Sequence, residues 1–494
     1  MNKPLQAELK KIYAYLSFAV ILCMTVKIWE PGIGVSSATY GAFAKNIIDG
    51  QSPFRFYLSP GIFDPFVDHP PLIIWIQSLA FKLFGISAQV LRLPSLILGF
   101  GVFASLFFVA KNIFGLRAAI FSILSLLLIN TFMNYTNSGW LDMGMIGFVW
   151  IGFCCLVLGQ TSNSRVSNVC QIVGSFCLGL AILAKGLAAM ALLPIAIFLF
   201  VTTKSKFRFF FLGIITCLPI ILFSYLHYKE NGFFFWSQYW ARRTLNAAEM
   251  DLLYGAEPSN KLWYLKELFS TAHLIFLLAF ASIYFSFLNK KLPTSNSEAD
   301  SNTTTTKGLI ILSFSQILLH SIVYSFTNRD YSQYLLPAYP WIALLSGFTL
   351  SHIFQNISAT KVAKRIFQFG LFIFVALGLS PIVVHSGTQN DYYKLVPAVK
   401  LLTGLAKVRV ISTGMQHSWE GDASNIVWHW NKKVELISRD KAFEILSSNE
   451  GLAVNRATYL SNRPEKLVVC LEMEDLILFF NSSDCVRAQQ VLIK

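Results

Sequence analysis

Long apolar runs recur along this chain and constrain its fold more than any other feature. A helix of about 17 to 22 apolar residues crosses the hydrocarbon core of a bilayer. Apolar residues make up 54% of the 494 positions and charged residues only 13%, well outside the soluble norm. The sequence therefore predicts an α-helical polytopic membrane protein with about eleven spans. They lie near residues 12–28, 91–110, 116–133, 141–160, 168–184, 187–203, 207–227, 267–288, 308–326, 334–353 and 365–385.

Basic residues in alternate loops predict how these spans are oriented. The net charge of +14 is not concentrated in any one stretch, so we expect the lipid bilayer and no nucleic acid among the partners. Cytoplasmic loops of membrane proteins collect lysine and arginine. The N-terminus is then cytoplasmic, and the loop 30–90 lies on the outer face. The basic loop residues are Lys111, Arg117, Arg165, Lys204, Lys206, Arg208, Lys290, Lys291, Lys307, Lys361, Lys364 and Arg365.

The composition changes after residue 385, where charge rises and short β-like stretches alternate with helix-like ones. This pattern predicts a transmembrane module over residues 1–385 and a small α/β domain over 386–494. An odd number of spans places that domain on the outer face. It contains Cys470 and Cys485, which would pair only in an oxidising compartment. The sequence leaves that pairing open.

The segment DHPPL, residues 68–72, joins the predicted outer loop to a short apolar stretch. As a helix, residues 72–84 would extend about 20 Å, against a hydrocarbon core of about 30 Å. We therefore expect an interfacial or re-entrant helix. The two prolines suit its first turn, where a missing N–H costs nothing. They would hold His69 at the helix N-terminus, a position that favours anions.

Three more ionisable residues lie at the outer ends of predicted spans, where such groups are often functional. Asp142 opens one span, although the helix dipole alone would favour a carboxylate there. Lys185 separates two apolar runs, although snorkelling would also account for it. Arg329 precedes another span and stands beside Asp330, which allows a simple surface pair.

Together these residues suit the transfer of a sugar from a phosphate leaving group. A carboxylate, Asp142 or Asp68, would accept the proton of the acceptor hydroxyl. Cationic groups at His69, Lys185 and Arg329 would stabilise charge on the departing phosphate without a metal. No cofactor is required, and a divalent metal is possible but not indicated. The sequence has no Walker motif and no GxGxxG after a strand, which disfavours a soluble nucleotide donor.

The chain resembles the GT-C glycosyltransferases of the protein O-mannosyltransferase and aminoarabinose lipid A transferase superfamily. The resemblance rests on ordered segments over most of residues 10–385: DHPPLIIWIQSLAFKLFG, LRLPS, WLDMGM, LGLAILAKG and R-x-Y-x-x-Y-L-L-P-A-Y-P. It implies a GT-C fold, a bacterial inner membrane, a polyprenyl-phosphate sugar donor, and a lipid, glycan or protein acceptor on the periplasmic face. It also implies that His69 and Lys185 contact the donor phosphate and that Asp142 is the acidic residue of the later span.

One departure from the family pattern leaves the function open. Where relatives carry an acidic residue in the first outer loop, this chain has Ser36 and Ser37. Another carboxylate then acts as the base, or the activity is altered or lost. The alternatives are a non-catalytic binder or flippase of lipid-linked sugars, and an oligosaccharide transferase that uses a lipid diphosphate, although its WWD signature is absent. The carboxylates that could replace the missing base are Glu30, Asp64, Asp68 and Asp142.

Overall fold

The structure is a computed structural model that describes most of the chain. The described residues are 3–25, 28, 33–63, 65–161, 164–203, 205–241, 262–288, 299–325, 331–355, 358–378, 392, 394–402, 404–412, 422–438, 450–455, 469–473, 476–480 and 484–493. Three residues considered for the site, Glu30, Asp64 and Arg329, lie outside this set.

The described chain is mainly helical. In chain order its first helices are α1 (Lys3–Thr25), α2 (Val35–Ile48), α3 (Leu72–Phe84), α4 (Ala88–Ile113), α5 (Leu116–Leu127), α6 (Asn130–Thr136), α7 (Leu141–Thr161), α8 (Ser164–Lys185) and α9 (Leu192–Thr202). The others are α10 (Lys206–Asn231), α11 (Phe234–Trp240), α12 (Trp263–Ile283), α13 (Ala299–Ser325), α14 (Tyr339–Ile353), α15 (Ala359–Gly378), α16 (Val396–Val399) and α17 (Asp484–Ile493). Single 3-10 segments cover Gly186–Ala191 and Ser332–Ala338.

Many of these helices are apolar enough for a bilayer, which makes the chain an integral membrane protein. Within the described residues, six are long and apolar enough to cross, and the bent pair α5 and α6 would make a seventh. The six are α4, α7, α8, α10, α12 and α13. The other predicted runs contain α1, α9, α14 and α15. Within the described residues, these four helices are not both long enough and apolar enough to cross a bilayer by the same measure. Every predicted run is thus helical in part, and the count of about eleven spans stays a prediction.

One predicted span is broken. The apolar run 116–133 predicts a single helix, but α5 and α6 meet at 78°. The break falls at Ile129, whose backbone is extended. Asn130 and Asn134 are exposed on α6. A straight continuation would carry these amides along the direction of the span, and unpaired polar groups are costly in hydrocarbon.

The interfacial helix predicted over residues 72–84 forms as α3 and belongs to the shorter apolar helices. Gly85, at φ +84°, ends it in a conformation that favours glycine. Its Gln77 side chain donates from Nε2 to the carbonyl of Gly139 at 2.7 Å. On α7, a Cβ at Gly144 would overlap the side chain of Ile73. The start of α3 is therefore fixed closely against the start of α7.

The C-terminal region folds around a five-stranded sheet of order β2-β1-β3-β5-β4. Its strands are β1 (Lys407–Ser412), β2 (Lys433–Ser438), β3 (Glu450–Asn455), β4 (Val469–Glu472) and β5 (Leu476–Phe480). The first three strands are parallel, and β5 runs antiparallel to β3 and β4. A disulfide between Cys470 and Cys485 ties β4 to α17, which answers the question of pairing. The predicted boundary at residue 385 lies outside the described residues.

The sheet region packs against α2. Its Trp428 ring would lie 2.9 Å from a Cβ at Gly41, so only a glycine permits this approach. The hydroxyls of Thr39 and Ser424 are hydrogen-bonded at 2.7 Å. These contacts hold α2 between the C-terminal region and the helical module.

Candidate functional site

A buried ion pair joins the start of α7 to the end of α8. Lys185 is the last residue of α8, and its ammonium donates to Oδ1 of Asp142 in the first turn of α7. Only 8% and 5% of the two side chains are exposed. Each charge complements the dipole of its own helix, since anions favour N-termini and cations favour C-termini.

The close packing of α7 on α8 brings the two charges together. Gly152 and Gly174 lie at a crossing so tight that a Cβ on Gly152 would come within 2.8 Å of the Gly174 carbonyl. Nearer the connecting turn, Gln171 donates to the carbonyl of Gly159 at 2.9 Å. The two helices therefore form an antiparallel hairpin, which places the start of α7 beside the end of α8.

The turn after Lys185 connects this pair to the DHPP segment. Gly186 has a φ of +62°, and a Cβ there would overlap the Tyr239 hydroxyl and lie 3.2 Å from Cδ of Pro70. Pro70 directly follows His69. The structure thus brings Asp68 and His69 to the same end of the molecule as Asp142 and Lys185, as the sequence predicted.

His69 and Asp68 are both half-buried at the start of α3. The His69 ring faces Tyr40 of α2 at 6.5 Å and Phe66 at 6.3 Å between centroids. Sequence analysis gave Tyr40 no role. Its only signal is the position after the small-residue stretch that opens α2.

Ser37 is one of the two serines that stand where the family pattern has an acidic residue. Its side chain is buried, and its hydroxyl donates to the carbonyl of Ser138, just before α7. Ser36 is half-buried beside it. This position therefore fastens α2 to the Ser138–Trp140 turn instead of presenting a carboxylate.

An aromatic cluster from α13 and the 3-10 segment Ser332–Ala338 covers Lys185. The Lys185 ammonium lies 5.5 Å from the ring centroid of Tyr334, and Tyr334 stacks on Tyr324 at 4.3 Å. His320 stacks in turn on Tyr324 at 6.1 Å. His320 is 2% exposed, and neither ring nitrogen has a hydrogen-bond partner within the described chain.

The sequence alone gives no role to three residues of this cluster. Tyr334 lies over the ammonium of Lys185, although the sequence marks it only as part of the R-x-Y-x-x-Y-L-L-P-A-Y-P segment. Tyr324 and His320 lie on an otherwise apolar predicted span, so no local pattern distinguishes them. Within the described residues, no group of three or more His, Cys, Asp or Glu side chains could hold a metal ion. That the reaction requires no cofactor stays a prediction from the sequence.

Comparison with known proteins confirms the fold that the resemblance noted from the sequence implies. Residues 68–226 match the family described as dolichyl-phosphate-mannose-protein mannosyltransferase. No curated protein matches the chain in sequence.

Solved structures show the same fold over nearly the whole chain. ArnT from Cupriavidus metallidurans bound to undecaprenyl phosphate is 12% identical, with a TM-score of 0.69 and coverage of 96% of this chain and 98% of that one. Its apo state gives 13% identity, a TM-score of 0.69, and 97% and 99% coverage. The apo oligosaccharyltransferase of Archaeoglobus fulgidus is 12% identical with a TM-score of 0.56, covering 97% of this chain and 68% of that one.

Proposed function

We propose that this protein transfers a sugar from a polyprenyl-phosphate donor to a lipid, glycan or protein acceptor at the outer face of a bacterial inner membrane. The buried pair of Lys185 and Asp142, with the His69 segment packed against Gly186, is the observation that carries the proposal. The undecaprenyl phosphate bound by ArnT, a protein of the same fold, supports the donor class. The disulfide between Cys470 and Cys485 supports an outer location, because disulfides persist in oxidising compartments.

The proposed reaction is a displacement at the anomeric carbon of the donor sugar. The acceptor oxygen forms the new bond, the bond to the phosphate oxygen breaks, and its electron pair leaves on the lipid phosphate. The proton of the acceptor hydroxyl passes to a carboxylate. Lys185, His69 and Arg329 supply the groups that stabilise the departing phosphate.

The ion pair bears on which carboxylate is the base. The carboxylate of Asp142 is buried and already accepts a hydrogen bond from the ammonium of Lys185, so it is poorly placed to reach an acceptor hydroxyl. Asp68 is half-buried and next to His69. We therefore assign Asp68 as the base, and Asp142 as the group that orients Lys185 until the donor phosphate competes for it.

Charge-neutral variants test this assignment. Removing one partner of a buried pair costs about 3–5 kcal/mol, so Lys185→Met is combined with Asp142→Asn to remove both charges together. We expect turnover to fall by about 10²- to 10³-fold in this double variant and by about 10²-fold or more in Asp68→Asn. Lys82→Met, an exposed lysine of α3, is the control and should keep full activity.

The assay needs the native donor, which mass spectrometry of lipid-linked sugars accumulating in a deletion strain would identify. Unchanged turnover in Asp68→Asn would overturn the assignment of the base, and unchanged turnover in the double variant would overturn the role of the ion pair.

A binder or flippase remains the alternative, because Ser37 is committed to a structural bond where relatives carry an acid. Donor binding without transfer by the native chain, with transfer appearing only in Ser36→Asp, would establish that alternative. Ser36 is the better site for this substitution, since it is half-buried whereas Ser37 is fully buried. A carboxylate at Ser37 would also face the Ser138 carbonyl.

A further inference from the structure

A cavity of about 220 Å³ lies between the first outer loop and the junction of α10 with α11. Aromatic rings form much of its wall, among them Phe66, Phe234 and Phe235. Sites for drug-sized ligands usually measure about 300–1,000 Å³, so this one suits a group of about one ring. None of the residues assigned above to the reaction lines it.

Hydrogen-bond donors and acceptors both line the same cavity. Arg55 lines it and pairs with no carboxylate within the described chain. Glu230 lines it too, and its Oε2 accepts a hydrogen bond from Ser52 at 2.8 Å, which fixes the carboxylate. The amide nitrogen of Asn231 is buried and has no hydrogen-bond partner in the described residues. A buried donor without a partner is unfavourable, and a bound acceptor atom would offset that cost.

One layer of side chains separates this cavity from the proposed reaction site. Val67 and Phe235 line the cavity and pack in one apolar cluster with Leu183 and Tyr239. Tyr239 contacts the turn at Gly186, directly after Lys185. Val67 is followed in the chain by Asp68, so a ligand in the cavity would lie next to the proposed base.

The lining selects the chemistry of the ligand. The carboxylate of Glu230 balances the charge of Arg55, so the lining has no excess positive charge to hold a bare phosphate. A hydrocarbon chain would leave the polar side chains unpaired. A ring that carries hydroxyl groups meets both requirements, because its hydroxyls donate and accept while its C–H face packs on phenylalanine. We propose that this cavity binds a sugar ring of the acceptor or the donor, an assignment that rests on the proposed function.

A second cavity of about 400 Å³ favours an acceptor glycan as the source of that ring. It shares Arg55 with the first cavity and is otherwise polar, with Asp49, Gln51 and Ser52 in its wall. A further sugar unit attached to the first ring would therefore meet hydrogen-bonding groups instead of a closed wall.

Binding of methyl glycosides to the full-length protein in detergent tests the proposal without turnover. The probes are a neutral hexoside, an amino-sugar glycoside and a uronic acid glycoside, detected by saturation-transfer NMR. We expect at least one to bind, and to bind about fivefold more weakly to Asn231→Leu and to Arg55→Gln, as the loss of one hydrogen bond predicts. Lys229→Gln is the matched control, because Lys229 lies on the same helix but stacks over Tyr225.

Steady-state kinetics then identifies the source of the ring. A raised acceptor KM in Arg55→Gln with little change in kcat assigns the ring to the acceptor, and a raised donor KM assigns it to the donor. Absence of binding for every probe, or equal binding in all variants, overturns the sugar site. Turnover lost in the Lys185 and Asp142 double variant while probe binding persists keeps the two proposals separate.

Discussion

At the scale of single residues, the site depends on a glycine as much as on charged groups. Gly186 has a left-handed backbone, at φ +62°, and fits between Tyr239 and Pro70 without a Cβ. It thereby sets both the end of α8 and the position of the DHPP segment. The LAKG sequence marked Lys185 as unusual, but the reason for the next glycine emerges only from the contact with Tyr239.

Gly186→Ala should impair the site through two separate effects. A non-glycine residue in this conformation costs about 1–3 kcal/mol, and the new methyl group would displace the Tyr239 hydroxyl. We expect turnover to fall by about tenfold or more, a loss of at least about 1.4 kcal/mol in transition-state binding. Gly115→Ala separates the effects, because Gly115 has φ +94° but open space around its Cβ position. Equal losses of activity in both variants would contradict the role of the Tyr239 contact.

At the scale of elements, the packing of α3 on α7 positions His69, one of the proposed phosphate-binding groups. Ile73 packs into the space left by Gly144, and Gln77 bonds to Gly139 just before α7. His69 lies directly before α3. Any displacement of α3 from α7 therefore moves His69 relative to Lys185.

Gly144→Ala should move α3 although alanine is the better helix former. Overpacking of this kind costs about 1–3 kcal/mol, whereas glycine to alanine in an open helix position gains up to about 1 kcal/mol. We expect a lower melting temperature and a higher donor KM in Gly144→Ala. The double variant with Ile73→Ala should recover donor KM. Gly213 on α10 has no atom within 4 Å of the position a Cβ would take. Gly213→Ala should therefore leave donor KM unchanged, and it should leave the melting temperature unchanged or raise it slightly. No change in donor KM in Gly144→Ala would refute this account of α3.

At the scale of the whole molecule, the C-terminal region holds the helix that carries Tyr40. Trp428 packs on Gly41, and Ser424 bonds to Thr39, so the two residues beside Tyr40 both contact that region. Tyr40 faces His69. The described part of the C-terminal region therefore supports one wall of the candidate site through its contacts with α2.

Two buried groups in this contact region should give opposite pH dependences. Burial, with Lys45 nearby, lowers the pKa of His429 to about 4 from an ordinary value of 6.5. Burial raises the pKa of Asp422 to about 6 from 3.8, opposed by a hydrogen bond from Tyr392. Because the unfolded chain protonates more readily at His429, that residue destabilises the fold as pH falls from 6.5 to 4. Because the folded chain protonates more readily at Asp422, that residue stabilises the fold as pH falls through 6.

Melting temperatures measured between pH 4.5 and 7 test this compensation. Relative to the native chain, Asp422→Asn should lose more stability on acidification, since only the His429 effect remains. His429→Gln should gain stability on acidification for the converse reason. Differences from the native chain cancel the contributions of other groups. Parallel pH profiles for all three proteins would show that neither group titrates in this window.

The sequence predicted those features that local pattern determines. A run of apolar residues long enough to span hydrocarbon specifies a helix wherever it occurs, and each predicted run contains one. The predicted range of α3, residues 72–84, agrees with the structure because the prolines before it act on the backbone directly. The α/β character of the tail also follows from short alternating stretches. The sequence even predicts that Asp142 and Lys185 share one side of the membrane. Asp142 opens one span and Lys185 follows the next, and the start of a span lies on the same side as the end of the span after it.

Only the tertiary structure decided which of these groups meet and what they do together. The pairing of Lys185 with Asp142, the ring of Tyr334 above it and the buried His320 depend on how helices pack, and helical periodicity does not specify a partner. The disulfide between Cys470 and Cys485 likewise depends on how α17 packs beside β4. The physical reason is that hydrophobicity drives burial without direction, whereas a site requires particular atoms from distant segments at hydrogen-bond distance.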